Sequence, residues 1–225
     1  MSAADAPGGV AVLASGEGTN LQALIDTAAR EGLRDGIALV VSDRAEAGAL
    51  VRARAAGIPA IHLSPADWST RAAYDHALAD LLAERQITLV VLAGFMRILE
   101  AEVVQRFAGR MLNIHPSLLP RHRGLGTHRR ALEAGDRIHG STVHFVEPEL
   151  DAGPPVLQYR IAVQPWDTPG RLAQRVRHGE HFIYPLAVRW WLQGRLDCTD
   201  GQAYLDGKPL AAPLVVTRDM APIPG

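Results

Sequence analysis

The sequence predicts an α/β fold: an open, mostly parallel sheet with helices on both faces, followed by an antiparallel C-terminal part. Three observations carry this. Short apolar runs alternate with segments of helical spacing through the first hundred residues, the pattern of repeated βαβ units. The run Leu89-Val90-Val91-Leu92-Ala93 is continuously apolar, as a central strand covered on both faces would be. Beyond residue 100 the rhythm changes, and residues 141–146 and 156–161 alternate apolar and polar, as an antiparallel pair does.

Taken in order, residues 10–14 read as a buried strand running into Ser15-Gly16-Glu17-Gly18-Thr19-Asn20. Residues 21–30 have helical spacing. Residues 37–42 form a second strand, 47–56 a helix closed by Gly57, and 58–63 a short third strand. Residues 71–84 are an amphipathic helix, and 89–93 the fourth strand. Residues 111–115 form a strand that opens into a loop, 116–127, rich in Pro, Gly, Arg and His. A short helix is expected over 128–133. The longest helix spans 168–193, entered through Asp167-Thr168-Pro169, a good start signal. Leu205-Asp206-Gly207-Lys208 suggests a terminal hairpin, and residues 217–225 are expected to fray.

The 225 residues suit one domain with two halves, 10–110 and 111–210. Hydrophobic residues make up 48% and charged residues 21%, enough to build a packed core. A net charge of -1 gives no basic field to hold nucleic acid. The single cysteine, Cys198, excludes an internal disulfide and a cysteine zinc site, and suits a reducing cytoplasm. The longest apolar run, 89–96, falls far short of the roughly 20 residues a membrane helix needs. Residues 10–14 are too short for a secretory h-region and no basic segment precedes them. A cytoplasmic protein is therefore expected.

Four stretches carry chemistry. Gly16-Glu17-Gly18-Thr19-Asn20 joins a strand to a helix, where backbone N–H groups and the helix N-terminus make an anion site. Leu21 stands where a dinucleotide fingerprint would have glycine, and no Gly-Lys-Ser/Thr follows, so a single phosphate monoester fits better. In Asn113-Ile114-His115-Pro116 the two polar side chains lie two apart and share a strand face. That face would sit at the carboxyl end of the sheet, where open α/β folds bind ligands. Asn can donate to a developing oxyanion, and His can donate or shuttle a proton. Asp151, in Glu149-Leu150-Asp151-Ala152-Gly153-Pro154, is either a turn former or a carboxylate aimed into a cleft. Ala93-Gly94-Phe95-Met96-Arg97-Ile98-Leu99 ends a parallel strand in an apolar loop. It packs under the next helix or lines a pocket for a flat heteroaromatic ligand. Nine histidines invite a metal reading, with His122 and His128 flanking the loop and His178 and His181 three apart on a helix. No His-Glu-x-x-His appears, and no metal is expected.

Together these stretches resemble a known family. The segments from Ser15 to Leu24, Val90 to Leu99, Leu112 to Pro120, His139 to Val146 and Leu150 to Pro154 are similar, in order, to the glycinamide ribonucleotide transformylases of the folate-dependent formyltransferase family. Gly179-Glu180-His181-x-Ile183-Tyr184-Pro185-Leu186 continues the match. The resemblance covers roughly residues 10–210 and implies a Rossmann-like formyltransferase fold. It implies transfer of a formyl group from 10-formyltetrahydrofolate to the amine of phosphoribosylglycinamide, in de novo purine synthesis, with no metal. By the same resemblance Asn113, His115 and Asp151 are catalytic. Gly18, Thr19, Asn20, His128 and Glu180 bind the phosphoribosyl substrate. Arg71, Met96, Arg97, Ile98, Leu99, Asn113, Val146, Glu147 and Asp151 form the folate site. The expected partners are small molecules, with no nucleic acid and no membrane, in a monomer or homodimer.

The loop Arg121-His122-Arg123-Gly124-Leu125-Gly126-Thr127-His128 departs from the family pattern. Gly126 offers no side chain where relatives often carry His or Asp, which leaves His128 as the better candidate for a substrate contact. Two relatives share the Asn-x-His and Asp core. The hydrolase of 10-formyltetrahydrofolate usually carries an extra N-terminal domain, and only nine residues precede the first expected strand here. The methionyl-tRNA formyltransferase usually carries a C-terminal RNA-binding domain, which the sequence is not expected to hold. A different class, an NAD(P)- or nucleotide-binding module using Gly16, Gly18 and Asp43, would not need the Asn113, His115 and Asp151 grouping.

Overall fold

The computed structural model describes residues 9–31 and 36–217. They fall into two compact units, divided between Leu112 and Asn113.

The first unit alternates strands and helices. Its elements are β1 (Val10–Leu13), α1 (Thr19–Glu31), β2 (Ile37–Ser42), α2 (Gly48–Ala55), β3 (Ala60–His62), α3 (Arg71–Glu84), β4 (Leu89–Leu92) and α4 (Ala101–Arg106), with β5 (Met111–His115) opening at its end. β1 pairs in parallel with β2 on one side and β4 on the other, and β2 pairs in parallel with β3. All four residues of both β1 and β4 are buried, which is what their unbroken apolar runs require. α3 spans the predicted residues, and Thr70 starts it by accepting from the Ala73 N–H at 3.1 Å. A 3₁₀ turn, Pro65–Asp67, and α4 were not foreseen. α4 has six residues, too few for a readable period. A shallow cleft of about 520 Å³ beside α3, lined by Ile61, Leu63, Trp68, His76 and neighbours, contains none of the residues the sequence singled out.

The second unit holds α5 (Thr127–Glu133), β6 (Ile138–Phe145), β7 (Pro155–Ala162), α6 (Pro169–Leu192), β8 (Leu196–Thr199), β9 (Gln202–Leu205), β10 (Lys208–Pro209) and β11 (Leu214–Thr217). β6 and β7 are the expected antiparallel pair, with Ser141 opposite Tyr159 and Thr142 opposite Gln158. Every residue of β6 after Ile138 is buried, including His139, Ser141, Thr142 and His144. His139, Thr142 and His144 face hydrogen-bond partners there instead of water. β11, also unforeseen, joins β7 in parallel. β8, β9 and β10 form a separate antiparallel sheet. The predicted hairpin turn at Asp206-Gly207 is present, with both residues at positive φ, 52° and 74°. α6 begins at Pro169, where the Thr168 hydroxyl accepts from the Arg171 N–H at 3.3 Å.

The main sheet has eight strands in the order β11-β7-β6-β5-β4-β1-β2-β3, mixed but mostly parallel. The run β3-β2-β1-β4-β5 is the doubly wound order, whose switch point lies between β1 and β4. No helix among the described residues is long and apolar enough to cross a membrane. The fraying expected for residues 217–225 falls, past Thr217, outside the described residues.

Candidate active site

In the first unit, the loops that leave β1 and β4 at the switch point are tied together. Ser15 N donates to Gly94 O at 3.1 Å, and Met96 N donates to the Ser15 hydroxyl at 2.9 Å. The β1 loop is also fixed to α2, through Ala49 N to Gly16 O at 3.2 Å and Arg52 Nε to Glu17 O at 2.8 Å. Gly18, at φ +73°, lies so close to α2 that a Cβ there would sit 2.7 Å from the Ala49 Cα. Packing alone therefore demands glycine at that position, apart from any ligand. Thr19 and Asn20 open α1, both half-buried.

The β4 loop is braced by α3. The Arg97 guanidinium lies over the Tyr74 ring, 4.5 Å from its centroid. Glu100 N donates to Asp75 Oδ2 at 2.9 Å, and Arg71 donates to the Ile98 carbonyl. Arg71 Nε also lies 3.4 Å from Glu100 and 3.9 Å from Asp75. Burial, above all, pushes the Asp75 carboxyl up from its ordinary value, opposed by the Glu100 N–H and the Arg71 charge. The braced loop leaves Met96 and Ile98 exposed, at 67% and 56%, while Leu99 turns into the core. Two bare apolar side chains beside fixed backbone groups suit a flat ligand. Leu99 can serve such a ligand only through its backbone, and Arg71 has its guanidinium engaged with the loop.

The second unit holds a polar cluster. His115, the last residue of β5, is 6% exposed. Its Nδ1 lies 3.3 Å from Asp151 Oδ2, and its Nε2 lies 3.0 Å from the His122 carbonyl. Asp151 sits at φ +50°, a left-handed turn position that Asp tolerates. Its Oδ2 also accepts from Gly124 N at 2.8 Å. Asn113 Nδ2 lies 3.1 Å from His144 Nε2, and His144 Nδ1 lies 2.7 Å from the Phe145 carbonyl. A carbonyl can only accept, so His144 carries its hydrogen on Nδ1 and takes the Asn113 amide hydrogen on Nε2. Burial, first of all, holds His144 below the ordinary histidine pKa, which keeps the ring neutral for that role. One Asn113 amide hydrogen is thereby fixed and the second is aimed by the first.

The loop carrying His122 and Gly124 is held from several sides. Thr142 Oγ1 donates to Ser117 O at 2.7 Å, and Gln158 Nε2 donates to Leu119 O at 3.0 Å. Arg123 pairs with Glu149 at 2.6 Å, and Arg130 donates to Arg123 O. Nearby, His128 Nδ1 and His139 Nε2 are 3.0 Å apart. Burial lowers the pKa of both, His139 to about 4, with neighbouring charges adding to the effect. Glu180 is buried on α6 and Val146 is half-buried. The Glu147 carboxylate points toward Gly201, meeting a Cβ built there at 3.2 Å. Among the described residues no group of three or more His, Cys, Asp or Glu could hold a metal ion.

The second unit thus brings together Asn113, His115 and Asp151. Sequence reasoning did not single out His144, the Gly124 N–H or the His122 carbonyl. Only His144 left a trace, as the polar residue two places after Thr142 on a strand.

The family model for formyl transferase matches residues 9–188. A phosphoribosylglycinamide formyltransferase of Haemophilus influenzae is 47% identical over 201 residues, covering 89% of this chain and 95% of that protein. The human trifunctional purine biosynthetic protein adenosine-3 is 44% identical over 180 residues, 80% of this chain and 18% of its own length. A solved phosphoribosylglycinamide formyltransferase from Coxiella burnetii, in complex with CHES, matches with a TM-score of 0.86 at 45% identity, covering 93% of this chain and all of that one. The chain belongs to the formyl transferase family.

Proposed function

We propose that this chain transfers the formyl group of 10-formyltetrahydrofolate to the amine of phosphoribosylglycinamide, a step of de novo purine synthesis. The names of its relatives support formyl transfer to phosphoribosylglycinamide. The observation that carries the chemistry is the buried cluster in which His115 Nδ1 faces Asp151 at 3.3 Å while Asn113 is oriented by His144 at 3.1 Å.

The amine attacks the formyl carbon and a tetrahedral adduct forms, with negative charge on the formyl oxygen. Asn113 donates to that oxygen, contributing about 3–4 kcal/mol by analogy with oxyanion holes, and His115 stabilises it through positive charge on its ring. Asp151 faces that ring and, with an ordered water, moves a proton from the attacking nitrogen to the departing folate nitrogen. The carbon–nitrogen bond to the folate then breaks. No covalent enzyme intermediate is needed, and Cys198 is unsuited to form one, since burial, chiefly, pushes its thiol up to about 11.

Gly18, Thr19 and Asn20 hold the phosphate of the ribonucleotide, with His128 and Glu180 contacting the rest of it. The folate lies against Met96, Arg97, Ile98 and Leu99 and meets Asn113, Val146, Glu147 and Asp151, while Arg71 supports the site by bracing the 96–100 loop. The enzyme needs no metal and works as one functional domain, a monomer or homodimer in the cytoplasm. The test is folate product formation with and without phosphoribosylglycinamide. Turnover that requires the amine supports the reading, and amine-independent release of formate would replace it with hydrolysis.

A further inference from the structure

Both ring nitrogens of His115 face oxygen, but the two oxygens differ in kind. Nε2 meets a backbone carbonyl, which can only accept, so Nε2 must keep its hydrogen in every protonation state. Nδ1 meets the Asp151 carboxylate at a looser 3.3 Å. The ring is therefore set as the Nε2–H tautomer, and the proton that comes and goes is on Nδ1.

The carbonyl that sets this belongs to His122, whose backbone is at φ +55°, where few residues with side chains rest without support. The support is its own ring. His122 Nε2 lies 2.7 Å from Asp136 Oδ2, with the His122 side chain 12% and the Asp136 side chain 5% exposed. The other Asp136 oxygen takes Arg121, whose side chain is 61% exposed and so screened by water. The His139 ring stands edge-on to His122 at 6.3 Å between centroids, and burial keeps it neutral near pH 7. The groups facing His122 are thus Asp136, Arg121, His139 and His115, and Asp136 is the one carboxylate among them.

We propose that Asp136 and the His122 ring are positioning residues for the transfer step: they pin the His122 carbonyl onto His115 Nε2 and so confine the mobile proton to Nδ1, beside Asp151. A carboxylate that fixes a ring through its far nitrogen is the usual device for setting a working imidazole. Here the device acts through one intervening backbone carbonyl. This rests on His115 being the proton-handling residue proposed above.

The test combines kinetics with nitrogen NMR of protein labelled in its histidine rings. Asp136→Ala, and His122→Asn, which tolerates the positive φ but cannot reach Asp136, should each lower kcat about 10–100-fold, the range typical of lost ligand-orienting partners. KM for both substrates should stay within about threefold of the starting value. Observed at a pH where the ring is neutral, His115 should change from one Nε2–H tautomer to an exchanging mixture. Asp136→Asn, whose amide oxygen still accepts the His122 N–H, should recover kcat to within about threefold, and Arg121→Ala should cost no more than that. If Asp136→Ala does not fold, His122→Asn carries the test. The proposal is overturned if either variant keeps kcat within threefold, or keeps the single His115 tautomer. It is equally overturned if Asp136→Asn is as impaired as Asp136→Ala, or if the loss appears as raised KM with a lowered Tm. A His115→Gln enzyme with near-normal turnover would instead sink the catalytic reading, while the ring spectra of the Asp136 and His122 variants would still report on the link itself.

Discussion

Asp151→Asn removes one charge from a buried cluster and little else. The side chain is 6% exposed, its Oδ2 is 3.3 Å from His115 Nδ1, and the same oxygen accepts from Gly124 N at 2.8 Å. The asparagine oxygen can keep the Gly124 bond, so the fold should persist. What disappears is the negative charge facing the His115 ring. At 3.3 Å and an effective dielectric of 20, the attraction between that charge and a positive charge developing on the ring is about 5 kcal/mol, an upper bound. At about 1.4 kcal/mol per factor of ten, the ceiling on the rate loss lies between three and four powers of ten. We expect kcat to fall by about 10³-fold, with KM for both substrates within about threefold and Tm within about 5 °C. Stopped-time assays of folate product over a range of enzyme concentrations would measure it. A folded Asp151→Asn enzyme within tenfold of the starting kcat would refute the assignment.

Other perturbations follow from the same contacts. Asn113→Ala removes one oxyanion donor and should lower kcat about 10²–10³-fold, measured under saturating substrates. His144→Leu, which takes away the acceptor that aims Asn113, should lower kcat by a smaller factor, about tenfold, at nearly constant KM. A Cβ at Gly179 would sit 1.8 Å from the Tyr159 ring, so Gly179→Ala should cost at least about 1–3 kcal/mol and lower Tm by several degrees in a thermal melt. His139 and His144 stay neutral when folded but titrate near 6.5 when unfolded, so the unfolded chain binds more protons below that pH. Stability should therefore fall as pH drops from about 6.5 toward 4, at no more than about 1.4 kcal/mol per pH unit per histidine, as denaturant titrations at stepped pH would show.

The parts of the fold that were legible in the sequence were those with local cause. β1 and β4 were readable because strands buried on both faces have no polar positions, and α3 because its apolar spacing marks it from within. Asn113 and His115 were readable as a pair because a strand places residues two apart on one face. The illegible parts depend on partners distant in sequence. β11 is a strand because β7 lies beside it, and the polar residues of β6 are buried among partners such as Ser117 and Gln158 that no local pattern names. Gly18 looked like a ligand-binding glycine, yet the Ala49 backbone explains it first. The roles of Asp136 and His122 pass through a backbone carbonyl, and no residue type announces that.

The most direct measurement of the central claim follows the formyl carbon itself. With 10-formyltetrahydrofolate labelled with ¹³C in the formyl group, carbon NMR of the reaction with phosphoribosylglycinamide should show the label move into the formamide of the ribonucleotide product, with no formate signal above the enzyme-free control. Label accumulating as formate, or remaining on the folate while another added amine is formylated, would contradict the account.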